Sequence, residues 1–316
     1  GRIYAGSWRI EPTLNGRRSE QRYVDPLISV DSLHRPNTAY GGVVGSRELS
    51  AAHVAVGIDG ERQAITSTDV VDTDRTRAGA FVMALRKFDL PDGALVDSAQ
   101  VDVSARGDSH SDFGSIGSPR AGLVLRRSSA RLFANVGRSF RAPTFNDLYW
   151  SPGGNPDLDP ERGVHRAFGA VWGDGRLAVE ASSYHTRFTN EIRWVPGAGG
   201  VWSPMNVSRS RKSGWDSSVS ARHGAWRAAL RGSRTAAVDV SGAPDTNENY
   251  GKQLRLTPEN MASGEVMYAD NGWGARAQHR WIGSSFTRAD GKAELAAYGV
   301  LDISAWRQIR VAGMVY

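Results

Sequence analysis

Cysteine is absent from all 316 residues. That excludes disulfide frameworks, thiolate metal sites and thiol nucleophiles together. Long apolar runs are missing as well. The longest near-apolar stretch, "AGAFVMAL" at 78–85, falls far short of the roughly 20 residues a membrane-crossing helix requires. Strand-built membrane barrels are not excluded, because their strands need only alternate. Metal-ligand spacing is lacking too. The histidines at 34, 53, 110, 165, 185, 223 and 279 form no H-x-x-x-H pair, and each reads as a strand or turn residue. The net charge is +6, yet there is no Lys/Arg-rich block and no basic helix. The positive charge is nearly all arginine, scattered along the chain, so nucleic acid is not an expected partner. Arginine's planar fork suits phosphate-bearing surfaces in general. Initiator methionine and signal peptide are missing from the opening "GRIYAGSWRI", and the closing "IRVAGMVY" stops in mid-alternation. The expectation is a fragment of a longer chain.

Period two is what the sequence does have. In "SAQVDVSAR" (98–106), Ala99, Val101, Val103 and Ala105 fall on one face, against Gln100, Asp102, Ser104 and Arg106. "ARLFANV" (130–136), "WRAALR" (226–231) and "WGARAQHRW" (273–281) repeat the pattern. Successive strand side chains point to opposite faces, so these segments read as half-buried strands. Helical spacing is nowhere sustained. About fifteen strands are expected, at 1–10, 36–44, 49–59, 76–87, 94–106, 117–126, 129–140, 164–172, 176–195, 202–222, 225–235, 252–269, 273–281, 294–305 and 308–316.

The connections alternate in length. Short ones are expected at 45–48, 88–93, 127–128, 173–175, 223–224, 270–272 and near 307; long ones at 11–35, 60–75, 107–116, 141–163, 196–201, 236–251 and 282–293. Short turns on one side and long loops on the other are the pattern of an outer-membrane barrel. Trp172, Trp226, Trp273 and Trp306 lie at the short-turn ends, where an aromatic girdle would meet the headgroups. Core packing in a soluble all-β protein is the competing reading. On the membrane reading, Ala, Val and Leu meet lipid, while Arg, Asp, Gln and Ser line a wet interior.

"SFRAPTFNDLYWSPGGNPDLDPERG" (139–163) gives the pattern a family. Phe140-Arg141-Ala142-Pro143, then Leu148-Tyr149, then Gly154-Asn155-Pro156-Asp157-Leu158 with Pro160-Glu161, resembles the strand-and-loop signature of TonB-dependent outer-membrane receptors. "NVSRSRKSGWD" (206–216), "RLTPENMASGEVMY" (255–268) and the closing "LDISAWRQIRVAGMVY" resemble later family segments in family order. The likeness covers residues 49 to 316.

The resemblance implies an all-β, transmembrane antiparallel β-barrel, here partial, with about fifteen of about 22 strands and without the N-terminal plug. The whole of 1–316 would be barrel domain, with plug, first strands and last strand missing. It further implies location in the outer membrane of a Gram-negative bacterium, contact with outer-membrane lipid and lipopolysaccharide, and energy from the inner-membrane TonB complex acting through the absent plug. The cargo would be cobalamin, slightly favoured, or a ferric siderophore. No enzymatic activity and a monomer are expected. A passive porin-like or adhesive barrel without energy coupling, and a soluble all-β binding protein, remain the alternatives.

Candidate site residues lie in the long loops. Tyr149, Trp150, Asn155, Trp194, Trp202 and Tyr250 are the expected substrate-binding positions, because ligand sites are mostly apolar with a few placed polar groups. For Tyr149 and Trp150, loop packing and ligand contact stand as equal readings; for the other aromatics, loop packing leads. Asp69, Asp72 and Asp74 in "STDVVDTD" (67–74) are oxygen donors that could hold calcium in an outer loop, although solvated loop charge is the favoured reading. Asp157, Asp159 and Glu161 stand among prolines and read as loop hydrogen-bonding groups rather than a catalytic pair. "GDG" at 173–175 has no helix after it, so it is a hairpin turn and not a phosphate cradle.

Overall fold

Alternating sequence becomes antiparallel sheet. The computed structural model describes residues 2–27, 30–196, 201–242, 245, 247–311 and 314–315. The first strands are β1 (Ile3–Ala5), β2 (Trp8–Arg18), β3 (Gln21–Asp25), β4 (Val30–Leu49), β5 (Ala52–Ser67) and β6 (Thr73–Asp89). Next come β7 (Ser98–His110), β8 (Gly114–Arg127) and β9 (Ala130–Arg141), followed by the short helix α1 (Phe145–Tyr149). The chain continues through β10 (Glu161–Gly173), β11 (Leu177–Pro196), β12 (Trp202–His223), β13 (Trp226–Asp239), β14 (Asn260–Asp270) and β15 (Trp273–Ile282). It closes with β16 (Ser285–Phe286), β17 (Glu294–Leu295), β18 (Tyr298–Arg307), β19 (Arg310–Val311) and β20 (Met314–Val315). One 16-stranded sheet runs in sequence order from β1 to β18, with β3 paired onto β4 beside that path. β16–β17 and β19–β20 form separate two-stranded pairs. In the main sheet β1 and β18 are the two edges.

Register assigns the faces, because directly paired residues share one. One row runs Ala130, Trp172, Val179, Val219, Leu230, Gly264, His279 across β9 to β15. The same face carries Val56, Val82, Val103, Leu123 and Ile303. Phe168 and Ile303 on it are 66% and 74% exposed. Water-soluble proteins rarely leave an apolar wall of this extent bare, so this surface argues for a membrane-facing wall and against the soluble all-β alternative.

The opposite face is polar and internally paired. Arg77 Nη1 lies 2.5 Å from Asp59 and 2.9 Å from Asp108, and Arg106 reaches Asp59 at 2.8 Å and Asp108 at 2.7 Å. Gly79 pairs with Asp108 in the sheet, and a Cβ there would stand 2.2 Å from the Arg106 Nη2. The missing side chain makes room for the Arg106 guanidinium and the Asp108 carboxylate.

The tryptophans test strand tilt. His279 lies in the same row as Trp172, and Trp273 sits six positions nearer the turn on the same strand and face as His279. Setting Trp172 and Trp273 at one height across five strand steps requires a tilt of about 40°, given ~4.8 Å between strands and ~3.4 Å per residue. Barrel strands tilt by this amount. Trp226, Tyr268 and Trp273 form a contiguous aromatic run, with ring centroids 5.0 and 5.1 Å apart.

Trp306 departs from the expected girdle. It pairs with Gly274 on the polar face, where a Cβ on Gly274 would come within 2.4 Å of the indole. Trp8, at the β1–β2 turn, takes the apolar-face position instead, since its partner Ala5 continues the row through Ile3 and Ile10. Parity decides the matter: Trp306 follows Ala305 and Ile303 by an odd step.

Several expected boundaries are corrected. The expected strand 1–10 is broken by a turn at Gly6, where φ is +60°, and β2 continues into the expected 11–35 loop. β4 ends at Leu49, so the tight turn is at 50–51 and not 45–48. β5 and β6 run through most of the expected 60–75 loop, and β7 and β8 through most of 107–116. The 88–93 turn is an eight-residue connection, 90–97, clasped by Leu90 N donating to Asp97 O at 3.0 Å. Residues 252–259 and 296–297 are not strand, so β14 and β18 start later than expected. The expected strand 308–316 contains only β19 and β20 among its described residues. Of the expected 196–201 loop, 197–200 lies outside the described residues. The length asymmetry is therefore partly carried by strand height: β11 and β12 have 20 and 22 residues, about twice the 9–11 needed to cross a bilayer.

Candidate functional site

The loop 142–160 folds back onto the long-loop rim as an ordered cap. Pro143 and Pro160, where it leaves β9 and rejoins β10, are fully buried. Arg75 donates from Nη2 to the Pro143 carbonyl at 2.7 Å and lies over the Phe113 and Phe145 rings at 5.8 and 5.2 Å. Thr144 caps α1. Its hydroxyl accepts from Asp147 N, while the Asp147 carboxylate accepts from Thr144 N, a reciprocal capping box. The other Asp147 oxygen, Oδ1, accepts from Trp194 Nε1 at 3.0 Å. A residue on β11 thus holds the helix in place from 47 positions away in sequence.

A small dry core lies under the cap. Leu148, Leu158 and Val70 are 2%, 3% and 4% exposed, each contributing about 1.5–3 kcal/mol by burial. Val70 bridges to Trp150, and Ser151 N donates to Asp69 O at 2.9 Å, which ties the 68–72 connection to the cap. Gly153 and Gly154 allow the close approach. A Cβ on Gly154 would meet the Trp150 nitrogen at 2.6 Å and the Leu148 oxygen at 2.7 Å, both of them backbone.

The structure gathers most of the expected site residues. Trp150 and Trp194 make an edge-to-face pair at 5.5 Å. Asn155 Nδ2 donates to the Pro204 carbonyl at 3.1 Å, binding the cap to β12. Trp202, at the start of β12, is 54% exposed, and a Cβ on Gly153 would stand 2.1 Å from its carbonyl oxygen. Tyr149 is half-buried beside Phe145 at 6.5 Å. Tyr250 lies in a different loop, 240–259, turned by its own N–H donating to Asn247 O at 2.9 Å. Among the described contacts, none joins Tyr250 to the tryptophans.

The family-signature residues turn out to be the cap's fasteners. Arg141 makes a two-pronged pair with Glu161 at 2.7 and 2.5 Å, closing the mouth of the loop. Glu161 also accepts from Ile192 N at 2.8 Å. Asn206 donates to Asp159 O at 2.9 Å and accepts from Asp159 N at 2.8 Å; in the sequence it stands out only as the first residue of the 206–216 family segment. Nothing in its spacing to Asp159 signals the contact.

The three loop aspartates serve separate local bonds. Asp72 Oδ1 accepts from Ser67 N at 3.1 Å, Asp69 Oδ1 from the Thr68 hydroxyl at 3.1 Å, and Asp74 pairs with Arg62 at 3.0 Å. Among the described residues, no group of three or more His, Asp or Glu is placed to hold a metal ion. The carboxylates do not converge, so this geometry does not fit a shared calcium ion.

The family model for TonB dependent receptor-like β-barrels matches residues 8–316. The chain belongs to the TonB-dependent receptor family. Among curated relatives of this barrel, the vitamin B12 transporter BtuB of Photobacterium profundum is 24% identical over 245 residues, covering 76% of the chain and 38% of that protein. The BtuB of Vibrio vulnificus (strain YJ016) is 28% identical over 173 residues, covering 52% of the chain and 27% of the relative. Among solved structures, the siderophore receptor PirA of Pseudomonas aeruginosa aligns with TM-score 0.74 at 13% identity, over 96% of this chain and 55% of that one. The FrpB iron transporter of Neisseria meningitidis (F5-1 variant) gives 0.75 at 14%, over 98% and 55%. These likenesses support the receptor-barrel fold, and the chain spans about half of each solved structure.

Proposed function

We propose that this chain forms the barrel wall and the outer ligand rim of an outer-membrane receptor for TonB-dependent uptake of cobalamin. The barrel sits in the outer membrane with the cap of 142–160 facing outward. Uptake there involves binding and passage, with no covalent chemistry; energy comes from the inner-membrane TonB complex pulling on a plug. The observation that carries the reading is the cap itself. A capped turn, an indole–carboxylate bond and buried prolines hold Trp150 and Trp194 in fixed orientation, beside an exposed Trp202. Pre-ordered aromatic surface suits a large, flat ligand, because little conformational entropy is lost on binding.

The similarity to BtuB proteins favours cobalamin over a ferric siderophore. The second reading, iron–siderophore uptake, draws on the likeness to PirA. The test is a titration of the full-length receptor in detergent with cyanocobalamin and with ferric siderophores, followed by tryptophan fluorescence. Saturable cyanocobalamin binding, weakened by Trp202→Ala, supports the proposal. Binding of a ferric siderophore alone overturns the cargo assignment. A full-length protein that lacks plug and coupling segment overturns energy coupling and leaves a passive barrel.

A further inference from the structure

Four arginines gather on the apolar face, at the level where that face gives way to the outer rim. Arg138, Arg187 and Arg211 lie in one row with Val164 between the first two, and Arg166 lies in the next row down, paired with His185. Their row stands eight positions above the row of Ala130, Trp172, Val179 and Val219 on the same strands. Eight residues rise ~27 Å along a strand, or about 20 Å of height at barrel tilt, close to the top of a ~25 Å lipid-facing band. On β9 and β10 the apolar residues between are Leu132, Ala134, Val136, Ala170 and Phe168, and β11 and β12 also place Ser183 and Ser217 on this face.

The charge state of this patch differs from that of the opposite face. Arg77 and Arg106 are each held by two aspartates. Arg138, Arg166, Arg187 and Arg211 are all exposed, and none of them makes an ion pair with a described carboxylate; Arg187 Nε meets only His185 Nε2, at 3.3 Å. Unpaired guanidinium groups on a lipid-facing wall are costly at mid-depth and nearly free of cost at the interface. Their planar forks match phosphate. From Arg138 to Arg211 the patch spans three strand spacings, about 14 Å, which is wider than one phosphate.

We propose that Arg138, Arg166, Arg187 and Arg211 form a binding site for the phosphorylated disaccharide headgroup of lipopolysaccharide on the outer wall of the barrel. The argument is charge complementarity together with place. Four cations without a described carboxylate partner, spread over about 14 Å, fit a headgroup bearing two phosphates, and the patch lies at the long-loop rim, the outer leaflet under the function proposed above. The aliphatic and aromatic wall beneath it receives the acyl chains. The inference rests on that outer-membrane placement.

The test is native mass spectrometry of the full-length receptor in detergent, exposed to bis-phosphorylated lipid A, to its dephosphorylated form and to phosphatidylglycerol. Wild-type protein should retain phosphorylated lipid A and release it as salt rises. The quadruple Arg→Gln variant at the four positions should retain it at least about tenfold less. Arg47→Gln with Arg86→Gln, on the same face at the short-turn end, should leave retention unchanged. Equal binding of the dephosphorylated lipid by wild-type protein overturns the site, and that arm needs no variant to fold. Full competition by phosphatidylglycerol overturns the assignment to lipopolysaccharide. If no lipid of any kind is retained, the outer-membrane placement itself fails, a result distinct from the loss of this one site.

Discussion

Replacing Asp147 by alanine should release the cap while leaving the barrel intact. The Asp147 side chain is 10% exposed and accepts hydrogen bonds from Thr144 N at 3.0 Å, Thr144 Oγ1 at 2.8 Å and Trp194 Nε1 at 3.0 Å. Losing the reciprocal cap costs about 1 kcal/mol. Leaving the half-buried indole N–H without an acceptor costs about 1–3 kcal/mol more. Together these lower the opening free energy of the loop by about 3 kcal/mol, or on the order of 100-fold in the population of the open form. Chymotrypsin reads that population directly, because Phe145, Leu148, Tyr149 and Trp150 are its preferred residue types. When opening and closing are fast relative to cleavage, the nicking rate follows the open fraction. Full-length Asp147→Ala in detergent should be nicked between 145 and 151 roughly 100-fold faster than wild type, with unchanged heat-modifiable mobility. Asp147→Asn keeps an acceptor for Trp194 but presents an amide donor to Thr144 N, so it should fall between the two. A wild-type cleavage rate in Asp147→Ala would refute the claim that this carboxylate fastens the cap.

Two further outcomes follow from the wall. Gly79→Val places branched carbon against Arg106 and Asp108, whose nearest atoms would lie 2.2 and 2.7 Å from a Cβ. Overpacking of this kind costs about 1–3 kcal/mol, and the midpoint of thermal unfolding of the full-length receptor should fall; an unchanged midpoint would show that the guanidinium group moves aside freely. In bilayers with bromine near the headgroup, total tryptophan quenching should drop in Trp273→Phe and stay the same in Trp306→Phe, because only the first indole faces the apolar side. Equal losses in both variants would contradict the face assignment.

Sequence read the wall better than it read the height of the wall. Where one face meets an apolar medium and the other a polar one, residues alternate, and 98–106 and 130–136 declared themselves as strand. Above that zone both faces are polar, so alternation vanishes while backbone pairing continues. Residues 60–67 and 107–110 therefore looked like loop and are strand. Trp306 departs from the girdle for a simpler reason: nearness to a turn sets its depth, while its odd step from Ile303 and Ala305 sets its face.

By itself, the sequence determined the all-β class, the polarity of the two ends and the signature loop at 139–163. These follow from local information: period-two patterning, turn residues and contiguous motifs. Tertiary structure alone decided that Trp194 fastens Asp147, that Asn206 clasps Asp159, and that Arg138, Arg166, Arg187 and Arg211 form one patch. Each depends on strand register and tilt, which bring together side chains from different strands and loops, far apart in sequence, and no local pattern encodes that offset.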